Sequence, residues 1–418
     1  MVAWRRELHR MPELSGQEKE TAQTVQAFLR AAGADKVITE LGGHGVAGIY
    51  HGRTPGPTIM LRAELDGLPI QETSAIPRRS EVPGKAHLCG HDGHMTILAA
   101  VARDLGRTRP RCGRAVLLFQ PAEEDGSGAA SVLADKKFQQ VRPDFVFSLH
   151  NLPGLPLGEV AIAEGLVNCA SRGMQIALFG RTAHASNPEF GVSPQAAIVR
   201  LLNEIPALGQ GGELNREFSM VTITHARVGE PAFGISPGHA EPWLTLRTLT
   251  DAKMESIRLQ AESLARRVAE DERLKVEIAY RDVFAHCMNA PEAVIHLKNA
   301  LDAEGIAHSA RGLPLRGSED FGLFNREAKS AMFFLGAGRD HAGLHAPDYD
   351  FPDELIEVGS RVFIRALRIN FQISLHSKTS RLGRALHSTS RSPHKLERLK
   401  TSYGLERFEK REVLPHRH

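Results

Sequence analysis

The sequence predicts an α/β protein: a layered catalytic domain into which a smaller domain of β-α-β-β-α-β, ferredoxin-like order is inserted. Three observations lead there. Short apolar runs rich in β-branched and aromatic residues alternate with helical patterns as far as Leu149. A stretch of different rhythm follows, and then the first pattern resumes. At 418 residues the chain also exceeds the roughly 250 to 300 at which single cores stop growing, so two domains are the default.

Taken in order, Trp4 to Leu29 carries apolar residues at helical spacing, interrupted at Met11-Pro12. It resumes after Ser15-Gly16, with Glu18 three residues beyond Ser15 in a capping-box pattern, which predicts an N-terminal helix pair. Gly45 to Tyr50, Thr58 to Arg62, Ala115 to Phe119 and Phe145 to Leu149 read as strands, with a helix from His94 to Leu105 between the second and third. The inserted segment runs strand Gly173 to Phe179, helix Pro194 to Leu208, strands Ser219 to Arg227 and Glu241 to Leu249, helix Ala252 to Glu270 and strand Lys275 to Val283. Ala331 to Leu335 is again strand-like and Asp353 to Ile369 helical. The predicted division is therefore 1–170 and 285–373 for the catalytic domain, 171–284 for the insertion, and 374–418 for a basic tail too poor in aromatics to bury a core, where disorder is expected.

Composition narrows the function classes. With 42% apolar and 24% charged residues, disorder throughout is excluded. The formal charge of +3 is uneven: from Ser374 onward 11 Lys and Arg face 4 Glu, a net +7 that leaves −4 for the body, so no nucleic-acid partner is expected. The charged segment Met1 to Met11 lacks the apolar stretch of a secretory signal, and no run approaches the ~18 residues of a membrane span. A cytoplasmic location without a membrane partner is expected. The four cysteines, Cys89, Cys112, Cys169 and Cys287, are too dispersed for a disulfide framework, which leaves metal ligation or burial.

Chemistry concentrates in a few segments. In His87-Leu-Cys89-Gly-His91-Asp92-Gly-His94, just before an apolar helix, Cys89 and His91 are spaced to converge on one ion, and a helix N-terminus favours the thiolate. His87 and His94 fit supporting roles better than ligation. Phe119-Gln-Pro-Ala-Glu123-Glu124-Asp125-Gly126 follows a buried strand, and its carboxylates repel one another unless cations or protons intervene. One could bind metal while its neighbour moves protons, although alone the run is equally consistent with a solvated turn. Asp66, in Arg62-Ala-Glu64-Leu-Asp66-Gly67, suits a carboxylate that orients a ligand or base, or equally a turn-forming Asp-Gly. His150 ends another apolar strand and His345 lies in a loop before the last helix; a lone histidine is usually structural, but both share the strand-end or loop setting of the acidic cluster.

With Gly180-Arg-Thr-Ala-His184-Ala, Ser318-Glu-Asp-Phe-Gly and Leu344-His-Ala-Pro added, the constellation resembles the aminoacylase and carboxypeptidase class of dinuclear metallohydrolases. The branch is that of hippurate hydrolase, indole-acetyl-amino-acid hydrolases and N-acetyldiaminopimelate deacetylase. The resemblance runs from Trp4 to about Leu367. It implies a phosphorylase/hydrolase-like catalytic domain, an inserted lid that mediates homodimerisation, and two divalent ions, whether Zn, Mn, Co or Ni. It further implies that Cys89 bridges the metals, with His91 and His150 on one and Glu124 and His345 on the other. Glu123 would be the general base, steered by a network including Asp66, and His184 would reach an active site, that of the partner subunit, to hold the oxyanion.

The activity so implied is hydrolysis of the amide bond of small N-acyl amino acids, hippurate-like or N-acetylated, by metal-activated water. A metallo-carboxypeptidase or dipeptidase of the same fold, and a binding protein retaining the fold without turnover, are the alternatives. A zinc nucleobase deaminase would need a Pro-Cys-x-x-Cys segment that is absent. Two departures from the branch pattern, Glu64 for an Asp and Pro188-Glu189 for Pro-His, touch no implied ligand but put transfer of substrate preference in doubt.

Overall fold

The computed structural model describes residues 1 to 369. The expected tail, 374–418, lies outside the described residues.

A mixed sheet of eight strands forms the frame. At its centre, Thr54–Glu64 pairs in parallel with Cys112–Gln120 on one side and with Phe145–Pro153 on the other, and Lys329–Gly338 continues in parallel beyond Phe145–Pro153. Alternate residues serve opposite faces: Leu61, Leu117 and Phe333 belong to one apolar layer, Met60, Val116 and Met332 to the other. Both faces are covered, so the central strands read as continuous apolar runs. Because these four strands are parallel, their C-terminal ends emerge along one edge, and Asp66, Glu123, Glu124, His150 and His345 all lie at or beyond those ends.

The second sheet is antiparallel, in the order Ser219–Val228, His239–Thr248, Ala170–Phe179, Lys275–Phe284. With helices Gln195–Glu204 and Asp251–Asp271 this is the expected β-α-β-β-α-β topology, around its own apolar cluster of Met174, Ile176, Leu201, Leu244, Ile257 and Leu264.

The sequence differs from the structure in instructive places. Helices Val2–Arg10 and Lys19–Ala31 form the N-terminal pair, but the capping box does not. Ser15 Oγ donates to Asp66 instead, and Glu18 accepts the N–H groups of Gly16 and Ala122, so residues that look like local punctuation are tied to the far strand ends. The helix expected from His94 begins at His91, with Gly90 in the left-handed conformation before it. Strand Lys36–Leu41 and helix Pro291–Glu304 were not anticipated. Among the described residues no helix is long and apolar enough to cross a membrane.

Candidate metal centre

Cys89, Glu123, Glu124, His150 and His345 line one cleft of about 420 Å³, and His91 is buried beside it. Each is set by its backbone. Gly90 has φ 89°, and a Cβ there would stand 2.2 Å from Asn151 Oδ1, so only glycine lets the Cys89 loop settle against the His150 strand. Ala122 and His345 adopt φ 51° and 66°, unfavourable for residues with a Cβ and typical of functional turns. The Ala122 N–H is held by Glu18 at 2.7 Å, and the His345 N–H donates to Leu88 O at 2.9 Å, joining the last loop to the first.

Hydrogen bonds fix which imidazole nitrogens face the cleft. His91 Nδ1 lies 2.8 Å from the Asp66 carbonyl and His150 Nδ1 2.8 Å from the Asn151 carbonyl. A carbonyl only accepts, so both Nδ1 atoms donate, and in the neutral ring Nε2 carries the lone pair. His150 Nε2 stands 3.4 Å from Cys89 Sγ. His91 Nε2 and Glu124 Oε1 are buried, 3.8 Å apart, and have no hydrogen-bond partner among the described residues. Donor atoms of Cys89, His91 and His150 lie within 4.8 Å of one another, and so do those of Cys89, Glu124 and His345. Cys89 belongs to both groups.

The electrostatics point the same way. Burial, then the Glu124 and Glu123 carboxylates, push the Cys89 thiol well up. The helix N-terminus, expected to favour a thiolate, is outweighed. Burial raises Glu123 well above the usual carboxylate range, reinforced by Glu319 and Glu124 and opposed by Arg62. Burial also lifts Glu124, to about 7, against the pull of His91. Burial alone would lower His91, yet Asp66, Glu64 and Glu124 carry it up to about 10. These donors hold protons in the absence of a cation, and a divalent cation competes for the same lone pairs. Thiolate, imidazole and carboxylate together fit a borderline ion such as zinc, without singling one out.

A second layer braces the first. Asp66 Oδ2 accepts from Ser15 Oγ at 2.7 Å and from the Glu124 N–H at 2.9 Å, so Asp66 holds His91 and the Glu124 backbone, not the Glu123 side chain. Buried Arg62 pairs with Glu64, with Glu319 at 2.9 Å and with Asp320 at 2.5 Å. Both nitrogens of His94 are taken, by Glu64 and Asn151, each at 2.6 Å. Glu64 thus supports His94 from beneath.

The cleft has one cationic wall that sequence reasoning missed. Arg247, from the antiparallel sheet, lines it with Ser171, and its Nη1 donates to Ser318 Oγ and Arg316 O, both at 2.6 Å. Desolvation lowers its pKa, and among the described residues no carboxylate is paired with it. Only the fold brings Arg247 to the strand ends, and its local context, Leu-Arg-Thr, carries no signal.

His184 is not in this cleft. It lies exposed on the two-residue strand Ala183–His184, beyond the far end of Ala170–Phe179. Ser171 touches the cleft, and at ~3.3 Å per residue the strand carries the chain roughly 25 Å away before His184 is reached. His184 Nδ1 is engaged within its own turn, 2.7 Å from Ser186 Oγ and 3.1 Å from the Ser186 N–H.

Comparison with known proteins identifies the family. Residues 60–369 match the peptidase family M20/M25/M40. The chain is 30% identical to YhaA of Bacillus subtilis (strain 168) over 375 residues, covering 88% of this chain and 93% of that one. It is 29% identical to an N-acetyldiaminopimelate deacetylase of Exiguobacterium sibiricum over 355 residues, covering 84% and 94%. The crystal structure of the Bacillus subtilis YXEP protein, a dinuclear metal binding peptidase from the M20 family, superposes with a TM-score of 0.73 at 25% identity, over 89% of this chain and 97% of that one. The chain belongs to peptidase family M20/M25/M40 and is a hydrolase of amide bonds.

Proposed function

We propose that the protein is a cytoplasmic, dinuclear metal-dependent amidohydrolase that releases amino acids from small N-acyl amino acids. One observation carries the reading: Cys89 is the common vertex of two donor groups, with His91 and His150 in one and Glu124 and His345 in the other. These five residues would hold two divalent cations, in keeping with the similarity to the YXEP protein, a dinuclear metal binding peptidase. When bound, such ions acidify water and polarise a carbonyl.

The chain's own residues supply the remaining steps. Glu123, as the carboxylate, takes the proton of the attacking water and passes it to the leaving nitrogen; the surroundings that raise its proton affinity make it the stronger base. Asp66 fixes the ring of His91 and the backbone of Glu124, and so the Glu123 turn. Arg247 pairs with the carboxylate that every N-acyl amino acid carries. His184 donates its Nε2–H to the oxygen that gains charge. Since strand Ala170–Phe179, roughly 25 Å long, runs between the cleft end at Ser171 and the end from which the His184 ribbon continues, His184 serves the cleft of a second copy, which makes segment 171–284 a lid and dimerisation domain between the two parts of the catalytic domain.

The test separates holding metal from moving protons. Glu123→Gln should retain two metals per chain by elemental analysis and lose turnover by about 10³-fold or more. Cys89→Ala should lose metal. A Glu123→Gln protein with most of its activity contradicts the mechanism, and faster hydrolysis of dipeptides than of N-acetyl or N-benzoyl amino acids contradicts the substrate class.

A further inference from the structure

Around His184 the lid exposes an unusual amount of apolar surface. Strand Ala183–His184 pairs antiparallel with Ile235–Ser236, Ile235 opposite His184, and the ladder extends one step through the Ala185 N–H to Gly234 O at 3.0 Å. Opposed residues share a face of such a ribbon and alternate along it. The face carrying His184 therefore carries Ile235, and Phe233 stands in the turn that leads into Ile235. Phe233 is 108% exposed and Ile235 56%. Phe190, 68% exposed, follows in the turn that the Asn187 N–H closes onto His184 O at 2.8 Å. Large aromatics gathered on a projecting ribbon mark a surface that another body covers.

The cleft is the complementary surface. Besides its polar donors it is lined by Leu152, Phe284, Leu315, Phe334 and Leu344, an apolar lining against which an acyl group can pack. The ribbon is too far from its own cleft to add to that lining, for the same reason that His184 is. We propose that Phe233 is a specificity-determining residue acting in trans: it enters the cleft of a second copy beside His184 and closes the acyl pocket, favouring substrates with an aromatic acyl group. This rests on the assignment of His184 to the partner's cleft made above.

The test uses full-length, metal-loaded protein with N-benzoylglycine and N-acetylglycine. In Phe233→Ala the ratio of KM for the benzoyl to that for the acetyl substrate should rise by about tenfold, the loss expected when one wall of an apolar pocket is removed. Because Phe233 makes no core contact, circular dichroism and melting temperature should match the parent. Next, a hybrid dimer is purified through two affinity tags, one protomer carrying Glu123→Gln and the other Phe233→Ala. Its one working cleft belongs to the Phe233→Ala protomer and is served by the intact ribbon of the other, so the KM ratio should return to that of the parent. A ratio that stays raised in the hybrid, or that never rose in the Phe233→Ala homodimer, overturns the inference. A control hybrid of Glu123→Gln with His184→Ala should be active. An inactive control, or a monomeric protein, refutes the assignment of His184 on which the inference depends, whereas an active control with a raised Phe233 ratio refutes the role of Phe233 alone.

Discussion

Asp66 shows how much of the centre hangs on one side chain that faces no cleft. Its carbonyl sets the tautomer of His91, and one carboxylate oxygen receives both Ser15 and the amide of Glu124, while the other is left without a hydrogen-bond partner. Asp66→Asn removes the charge and sets an N–H either against both of these donors or, with the amide turned over, 3.5 Å from the donating His91 Nδ1. We expect metal affinity to fall by about 10- to 100-fold, with a smaller loss in Ser15→Ala, as measured by competition with a chelating dye. Equal affinity in Asp66→Asn and the parent would remove Asp66 from the account. At this scale the sequence was most legible where chemistry is local. Cys89 and His91, or Glu123 and Glu124, announce themselves within a few residues. Ser15, Glu18 and Arg247 do not, since their partners lie 51, 104 and 71 residues away along the chain.

Elements place these side chains through turns that tolerate little change. The turn from Pro121 to Gly128 carries Glu123 and Glu124 and folds back so tightly that a Cβ on Gly128 would lie 1.7 Å from Pro121 O and 2.8 Å from Ala122 O. Both obstacles are backbone, so Gly128→Ala must displace the turn itself. It should destabilise the fold by about 1 to 3 kcal/mol and release metal, read by chemical denaturation and elemental analysis. Gly343, two residues from His345, has open space around it, and Gly343→Ala should keep both stability and metal. If the two variants behave alike, backbone crowding is not what positions the acidic pair. The central parallel strands and the helices His91–Arg107 and Asp251–Asp271 were foreseeable to within a few residues because buried parallel strands and amphipathic helices write their period into the chain. Strand Lys36–Leu41 was not, since it lies at the sheet edge and mixes exposed and buried residues without strict alternation.

At the scale of the whole molecule, a buried ionic cluster fastens the N-terminal helix to the helix that starts at His91. His9 Nδ1 lies 2.9 Å from Asp92 and Arg5 3.3 Å from the same carboxylate, all within the core. Burial lowers the pKa of His9, but Asp92 and Glu72 more than offset it and raise it to about 9. A pKa raised above the unfolded value means that the protonated ring binds tighter in the folded chain. Its contribution, up to about 3 kcal/mol, is therefore complete below pH about 6.5 and is lost as pH rises through about 9. The stability difference between the parent and His9→Gln, by urea unfolding, should thus be large at pH 6 and small at pH 10. A difference independent of pH would show that packing, not charge, accounts for His9.

The contact between the His345 amide and the Leu88 carbonyl has a bearing on biosynthesis. It brings together loops that a ribosome makes far apart in time: at about 5 to 20 residues per second, roughly 250 residues take some 10 to 50 s to follow His91 out. Through that interval the Cys89 and His91 donors exist without their last counterpart, on a sheet that still lacks strand Lys329–Gly338. The group of Cys89, Glu124 and His345 is therefore complete only after the last loop has been made, so loading of both proposed sites follows synthesis of that loop.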